Sequence, residues 1–162
     1  VSLATMPDHP LNHRNNWGVY GVIDQMILRA GARSVSVFAR GGMVPSDRNL
    51  VSWYVDGGVG FKGFVPGRPD DILTLGVAHS KISRRAAALD YDTLFLNGPP
   101  YPIRSGETVF EASYIAQLAP WWSLQPDLQY IVRPGGNVPH PLDPARIVKD
   151  AVVVGVRTTL TF

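Results

Sequence analysis

The last twelve residues of the chain, Ala151 to Phe162, alternate between apolar and polar positions. Because a β-strand has a side-chain period of two, one face of this segment suits lipid and the other suits water. A tilted transmembrane strand needs about 9–11 residues, which matches the segment. The pattern therefore predicts the closing strand of a membrane β-barrel. The apolar side would carry Val152, Val154, Val156, Thr158, Leu160 and Phe162, and the other side Gly155, Arg157, Thr159 and Thr161.

Six further segments show the pattern of strands and are separated by Gly-rich and Pro-rich turns. Trp121–Arg133 has the clearest alternation, whereas Trp17–Leu28 is apolar on both faces, so its register is not determined. The other strands are predicted at Ser34–Met43, Val51–Val65, 73–80 and Glu107–Leu118. Loops are predicted at Val1–Asn16, Lys81–Gly106 and Pro134–Asp150, the second with a short helix around Arg84–Leu89.

The connections between these seven strands alternate between short and long. Outer-membrane barrels have short periplasmic turns, long extracellular loops and aromatic girdles at both membrane interfaces. The sequence therefore predicts an outer-membrane barrel whose last strand ends on the periplasmic side. Aromatic residues that would form the girdles are Trp17, Trp53, Tyr114, Trp121, Trp122, Tyr130 and Phe162.

Closure of the barrel sets a further expectation. The first and seventh strands would run in the same direction, so they could not pair as antiparallel neighbours. An open sheet edge in lipid leaves unpaired backbone groups that cost several kcal/mol each. We therefore expect residues 1–162 to form a single barrel domain that is the carboxy-terminal portion of a larger barrel, with the amino-terminal strands absent. The alternative is self-assembly of several copies through a parallel seam or a rearranged first strand.

The polar faces of the strands supply candidates for the wall of a channel. Their charges have both signs, which avoids a strong single-sign field, and their donors and acceptors can exchange hydrogen bonds with a sugar at modest net energy. Phe38 and Tyr54 could stack against a pyranose ring. The alternative is that the arginines pair with the acidic residues and only shape the wall. The candidates are Arg40, Tyr54, Asp56, Lys62, Glu111, Gln125, Asp127, Gln129, Arg133 and Arg157.

Composition excludes several other classes of protein. With 45% hydrophobic and 17% charged residues the chain is not disordered, and no apolar run is long enough for a transmembrane helix. The start at Val1 shows no signal core, so we expect a mature or truncated amino-terminus. The net charge of +2 comes from scattered arginines without a basic stripe, so no nucleic-acid partner is expected.

Catalytic and metal sites are weakly supported. His79 lies close to Ser80 and Ser83, as an outer-membrane lipase would require, but no G-x-S-x-G motif is present and adjacent strand residues face opposite sides. Scattered histidines without companion ligands predict neither a metal site nor a cofactor. A soluble, lectin-like all-β module remains the main alternative to a channel, since Trp121 and Trp122 could be core residues of a sandwich.

The segment from Trp121 to Gly136, WWSLQPDLQYIVRPGG, resembles the carbohydrate-selective porins of the OprB family. The resemblance extends over nearly the whole chain, through Asp24–Met26, Phe38–Gly41, Gly57–Asp70, the strand of Glu111, Gly155–Arg157 and the terminal Phe162.

This resemblance implies an all-β fold, an antiparallel transmembrane β-barrel of the outer-membrane type, of which this chain supplies about seven of sixteen strands. It implies passive diffusion of small sugars across the bacterial outer membrane, not an enzymatic reaction. Outer-membrane lipid and the insertion machinery, which reads a carboxy-terminal aromatic such as Phe162, would be partners. Trimers are common among porins, so a homo-oligomer is compatible with this interpretation.

Overall fold

The computed structural model describes residues 14–162. Residues 1–13, which include His9 and His13, lie outside the described residues, as does most of the predicted loop Val1–Asn16. Within the described part, the chain forms a seven-stranded antiparallel sheet with the order β1-β2-β3-β4-β5-β6-β9. The prediction of an all-β antiparallel fold with seven principal strands is confirmed. The strands are β1 (Val19–Ala30), β2 (Arg33–Met43), β3 (Val51–Lys62), β4 (Ile72–Ile82), β5 (Gly106–Ala119), β6 (Trp122–Val132) and β9 (Ala151–Leu160), and β7 (Pro139–His140) pairs with β8 (Asp143–Ile147) in a small hairpin.

The two faces of the sheet differ in polarity across β2 to β6 and β9. Residues that pair across neighbouring antiparallel strands point to the same face, and the registers align the polar positions of β2 to β6 and β9. On the apolar face Val154 and Val156 are 74% and 68% exposed. Among residues 14–162, Ile82 is the only hydrophobic residue that is buried. A soluble sandwich would bury this face against a second layer, which the described residues do not supply.

The short connections lie at one end of the sheet. Gly31 and Ala32 join β1 to β2, so this turn is tighter than the five residues expected, and β1 starts at Val19 instead of Trp17. β3 ends at Lys62 and not at Val65 because Gly63 has φ +72°. A Cβ atom at Gly63 would also lie 2.8 Å from the carbonyl oxygen of Ala32, so the chain must turn there.

The long connections lie at the other end and are partly ordered. Helix α1 (Arg84–Asn97) is longer than the predicted Arg84–Leu89. The Oγ of Ser83 accepts a hydrogen bond from the amide of Ala86 at 3.2 Å, and Gly98, with φ +78°, ends the helix. No helix within residues 14–162 has the length and apolarity that crossing a membrane requires.

The loop between β6 and β9 is fastened to the start of β5. It contains a 3-10 turn at Pro134–Gly136 and the β7–β8 hairpin, where the sequence had predicted an irregular loop. The amide of Gly135 donates to the Glu107 carboxylate at 2.6 Å, and the amide of Ser105 donates to the carbonyl of Gly136 at 2.7 Å. These bonds attach the loop to the start of β5 at the long-loop end of the sheet.

Candidate functional site

The candidate site is the polar face of the sheet, which the registers assemble from seven strands. Of the ten predicted wall residues, nine lie on this face within strands or at a strand end: Arg40, Tyr54, Asp56, Lys62, Glu111, Gln125, Asp127, Gln129 and Arg157. Arg133 is the exception, because it follows the last residue of β6. The structure thus brings most of the predicted residues to one surface, and their roles with a solute stay a prediction.

An ion pair joins two neighbouring strands of this face. Arg40 of β2 lies directly opposite Asp56 of β3, and its Nε lies 3.0 and 3.1 Å from the two carboxylate oxygens. Asp56 is only 6% exposed, whereas the side chain of Arg40 is 58% exposed. The guanidinium carbon also lies 6.0 Å from the ring centre of Phe38. Asp56 therefore fixes the position of one edge of the Arg40 guanidinium, while more than half of the Arg40 side chain stays exposed to solvent.

The second half of the face is a network of carboxylates and amides. Gln129 donates from Nε2 to Oε2 of Glu111 at 3.0 Å, and Gln125 lies opposite Arg157. Asp127 lies opposite Gly155, where a Cβ would lie 2.5 Å from the Asp127 Oδ1. A glycine at 155 therefore leaves room for this carboxylate on the wall.

Two predicted residues lie at the rims of the face. Lys62, the last residue of β3, forms an ion pair with Asp70 at 3.2 Å at the short-turn end. At the long-loop end Arg133 has a left-handed backbone with φ +54°, and its amide donates to the Asp150 carboxylate at 2.9 Å. Arg133 therefore belongs to the loop at the rim, and the strand alternation that predicted its direction does not extend to it.

Two acidic residues of this face were not among the predicted wall residues. Asp24 lies opposite Phe38, and Glu107 lies opposite Ser80. Asp24 was missed because β1 is apolar on both faces, so alternation alone gave no register. The tight Gly31–Ala32 hairpin fixes the register only as far as Leu28, because a bulge between Met26 and Leu28 shifts the pairing before Asp24 is reached.

Polar side chains also occur at the long-loop end of the apolar face, which we call the outward face. His79 Nδ1 lies 2.8 Å from the Thr108 hydroxyl, and its ring lies 5.1 Å from that of Trp53. Ser80 pairs with Tyr54 on the opposite face. The histidine is thus engaged with a threonine and a tryptophan, and not with the serine that a lipase mechanism would need.

Aromatic residues mark the short-turn end of the outward face. The rings of Trp121 and Trp122 stack at 6.1 Å, and Trp122 Nε1 donates to the Thr158 hydroxyl at 2.8 Å. The Tyr114 hydroxyl donates to the carboxylate of Asp71, just before β4. Rings with an apolar body and one satisfied polar atom suit a membrane interface.

Asp71 connects several segments at the short-turn end through hydrogen bonds to its carboxylate. It is buried and accepts hydrogen bonds from Arg68 Nε at 2.7 Å and from the Gln117 amide at 2.9 Å, besides that of Tyr114. Burial acts to raise the pKa of Asp71, but the hydrogen bonds from Tyr114, Arg68 and Gln117 outweigh it, so the pKa lies below its usual value. The ionised form of Asp71 is therefore more stable in the folded protein than in the unfolded chain.

Asp71→Asn is expected to lower the melting temperature of the folded protein at neutral pH, because it removes the charge that these donors stabilise. A lowered folded pKa gives stability that is full above the unfolded pKa of about 4 and is lost as pH falls through the folded pKa. The deficit of the variant should therefore shrink as the pH is lowered below about 4. Asp70→Asn is the matched control, because Asp70 is exposed and pairs only at the surface. Equal melting temperatures of Asp71→Asn and wild type at pH 7 would contradict this assignment.

Within residues 14–162, no three His, Cys, Asp or Glu side chains cluster in a way that could hold a metal ion. The chemistry available on the polar face is hydrogen bonding, ion pairing and aromatic contact.

Comparison with known proteins shows that this sequence is similar to those of porins. Residues 4–162 match the family model described as carbohydrate-selective porin, OprB family. The chain is 29% identical to Porin B of Pseudomonas aeruginosa over 143 residues, which is 81% of this chain and 29% of that protein. It is 30% identical to QuiX of Acinetobacter baylyi over 131 residues, or 74% of this chain and 26% of that protein. The chain thus spans under a third of the length of these relatives.

The fold also matches a solved structure. The high-pH structure of Pseudomonas putida OprB superposes with a TM-score of 0.81 at 25% identity, covering 99% of this chain and 39% of that one. The match to the family model extends over nearly every residue, and the sheet has the polar and apolar faces that a porin wall requires. From its sequence and its fold alike, this chain belongs to the OprB family of carbohydrate-selective porins.

Proposed function

We propose that this sheet is part of the wall of an outer-membrane channel through which small sugars diffuse passively. The observation that carries the proposal is the continuous polar face opposite a continuous exposed apolar face, which extends across the six strands β2 to β6 and β9 and is less regular in β1. Outer-membrane lipid would cover the apolar face, and water and solute would contact the polar face.

The chemistry of the polar face favours neutral, hydroxyl-rich solutes over ions. The positive charge of Arg40 is neutralised by Asp56, and the Glu111 carboxylate accepts a hydrogen bond from Gln129. The Arg40–Asp56 pair has a weaker field than either charge alone, so a small ion gains little there, while a sugar hydroxyl can exchange hydrogen bonds with each of these groups. Binding of this kind is weak enough for rapid release.

The edges of the sheet support a larger barrel. β1 and β9 each have one unpaired edge within the described residues, and both run toward the short-turn end. They cannot pair with each other as antiparallel neighbours, and lipid-exposed edges are costly. We therefore propose that further strands complete a single porin barrel, of sixteen strands in total, with residues 1–162 as its carboxy-terminal portion.

A liposome swelling assay tests the proposed channel. Liposomes that carry the product of the complete reading frame are expected to swell faster in glucose or a disaccharide than in an amino acid of similar size. The physical reason is that the wall offers hydrogen-bond donors and acceptors that match sugar hydroxyls, whereas an amino acid must give up the stronger hydration of its two charged groups. Liposomes prepared without the protein control for leakage.

The possible results separate the candidate functions. Equal swelling in sugars and amino acid would overturn the sugar preference and leave a general porin. Absence of swelling with protein shown to be folded would overturn the channel itself. A lectin-like module would remain soluble without detergent, whereas the exposed apolar face predicts aggregation under that condition.

A further inference from the structure

One row of paired residues crosses the polar face at a single level and has an unusual composition. Neighbouring strands place these residues side by side, beginning with an acid and an aromatic ring and continuing through two glycines to a second acid. The row is Asp24, Phe38, Gly58, Gly76, Glu111, Gln129 and Val153, one from each of β1 to β6 and from β9.

The ring of Phe38 extends along the wall across the two glycines. A Cβ atom at Gly58 would lie 2.7 Å from Cζ and 2.8 Å from Cε1 of Phe38, so the ring occupies the place of that side chain. A Cβ at Gly76, one strand further, would lie 3.8 Å from the same Cζ. Phe38 therefore reaches across β3 to the edge of β4. We call the ring of Phe38 with Gly58 and Gly76 the aromatic platform.

The aromatic platform is accessible and is flanked by polar groups. Phe38 is only half-buried, and Gly76 carries no side chain that would cover the ring. Glu111 is the next residue in the row, one strand spacing of about 4.8 Å from Gly76. Its carboxylate is positioned by Gln129 Nε2 at 3.0 Å, and the Arg40 guanidinium lies over the Phe38 ring with its carbon 6.0 Å from the ring centre.

This combination matches the surface of a pyranose. A pyranose has an apolar C–H face that packs against an aromatic ring and an equatorial belt of hydroxyls that needs acceptors and donors at its edge. From this geometry we propose that the aromatic platform is a binding subsite for the pyranose ring of a passing sugar. Glu111 accepts hydrogen bonds from its hydroxyls, and the exposed part of Arg40 donates to them. The inference rests on the proposed function, because it assumes that this face lines the channel.

A purely structural role of Phe38 is the competing explanation. An aromatic ring that covers glycines on the neighbouring strand stabilises a sheet without binding anything. The two explanations differ in what they predict for different solutes. Stabilisation affects the folded protein equally in every solute, whereas stacking discriminates a pyranose from an acyclic polyol that has hydroxyls but no ring face.

The test measures the block of ion current by D-glucose and by sorbitol, with the product of the complete reading frame in planar bilayers. Wild type is expected to show saturable block that is stronger with glucose. Phe38→Leu is expected to weaken the glucose block about two- to tenfold, the range of a single aromatic contact, and to leave sorbitol unchanged. Phe38→Tyr should retain the wild-type block. Phe110→Leu, on the outward face, is the matched control and should also behave as wild type.

A second variant covers the case in which Phe38→Leu fails to assemble. Gly76→Val keeps Phe38 but places a branched side chain beside the ring tip, where a Cβ meets only ordinary contacts at 3.5 and 3.8 Å. It should weaken glucose block in the same way. Unchanged glucose block in the assembled variants, with sugar preference intact in wild type, would overturn the platform alone. Equal swelling of wild-type liposomes in sugars and amino acid would instead remove the proposed sugar preference on which the platform rests.

Discussion

Replacing Asp90 by alanine is expected to unfold the connection between β4 and β5. Asp90 is 2% exposed in α1 and accepts bonds from the Arg104 amide at 2.9 Å and from its guanidinium at 2.7 to 3.1 Å. Hydrogen bonding to Asp90 raises the pKa of Arg104, which thus stays charged. Removal of one partner from a buried pair leaves an uncompensated charge and costs about 3–5 kcal/mol. The stability of this connection should fall by that amount.

Limited proteolysis of the folded protein measures this effect, because the cleavage rate follows the population of the open loop. Cleavage between β4 and β5 should become much faster in Asp90→Ala. Asp92→Ala is the matched control, since Asp92 is exposed on the same helix and should leave cleavage near wild type. Similar cleavage rates for both variants would show that the Asp90–Arg104 pair does not hold the loop.

Deletion of Phe162 is expected to reduce the amount of protein in the outer membrane several-fold. Phe162 lies two residues beyond β9 and is fully exposed, so its removal costs little packing within the sheet. The family resemblance implies a carboxy-terminal aromatic signal that the insertion machinery reads. The loss should therefore affect assembly while protein refolded in detergent keeps its melting temperature.

The measurement is the ratio of outer-membrane protein to total protein for the deletion and for Phe162→Tyr. The tyrosine variant keeps an aromatic end and should assemble as wild type. An outer-membrane level of the deletion equal to that of wild type would refute a role of Phe162 in assembly.

Alternation predicted the polar face because it reports directly on a strand with two different environments. In β6 the sequence WSLQPDLQYIV assigned every residue to its observed face except Ile131, an apolar residue on the polar side. β1 gave no such assignment, since Val22 and Met26 face the same side as Asp24. A bulge between Met26 and Leu28 also shifts the register within the strand.

Features that depend on several strands could not be predicted from local pattern. The contact of Phe38 with Gly58 and Gly76 requires the registers of three strands at once. The residues of α1 up to Asn97 favour a helix, and Gly98 marks its end. The helix was nevertheless predicted too short, because its charged and aromatic residues do not follow a helical period of apolar positions. The left-handed backbone of Arg133 depends on its loop contacts, so strand alternation assigned it to the wall.

The common direction of β1 and β9 restricts whatever closes the sheet. An antiparallel barrel has an even number of strands, and this sheet contributes seven. In the proposed barrel of sixteen strands the complement would therefore be nine strands, an odd number. Its two outer strands must both run from the short-turn end to the long-loop end. The first strand of a continuous chain would then start beside the end of β9, so that the two termini of the proposed barrel would meet at the short-turn end.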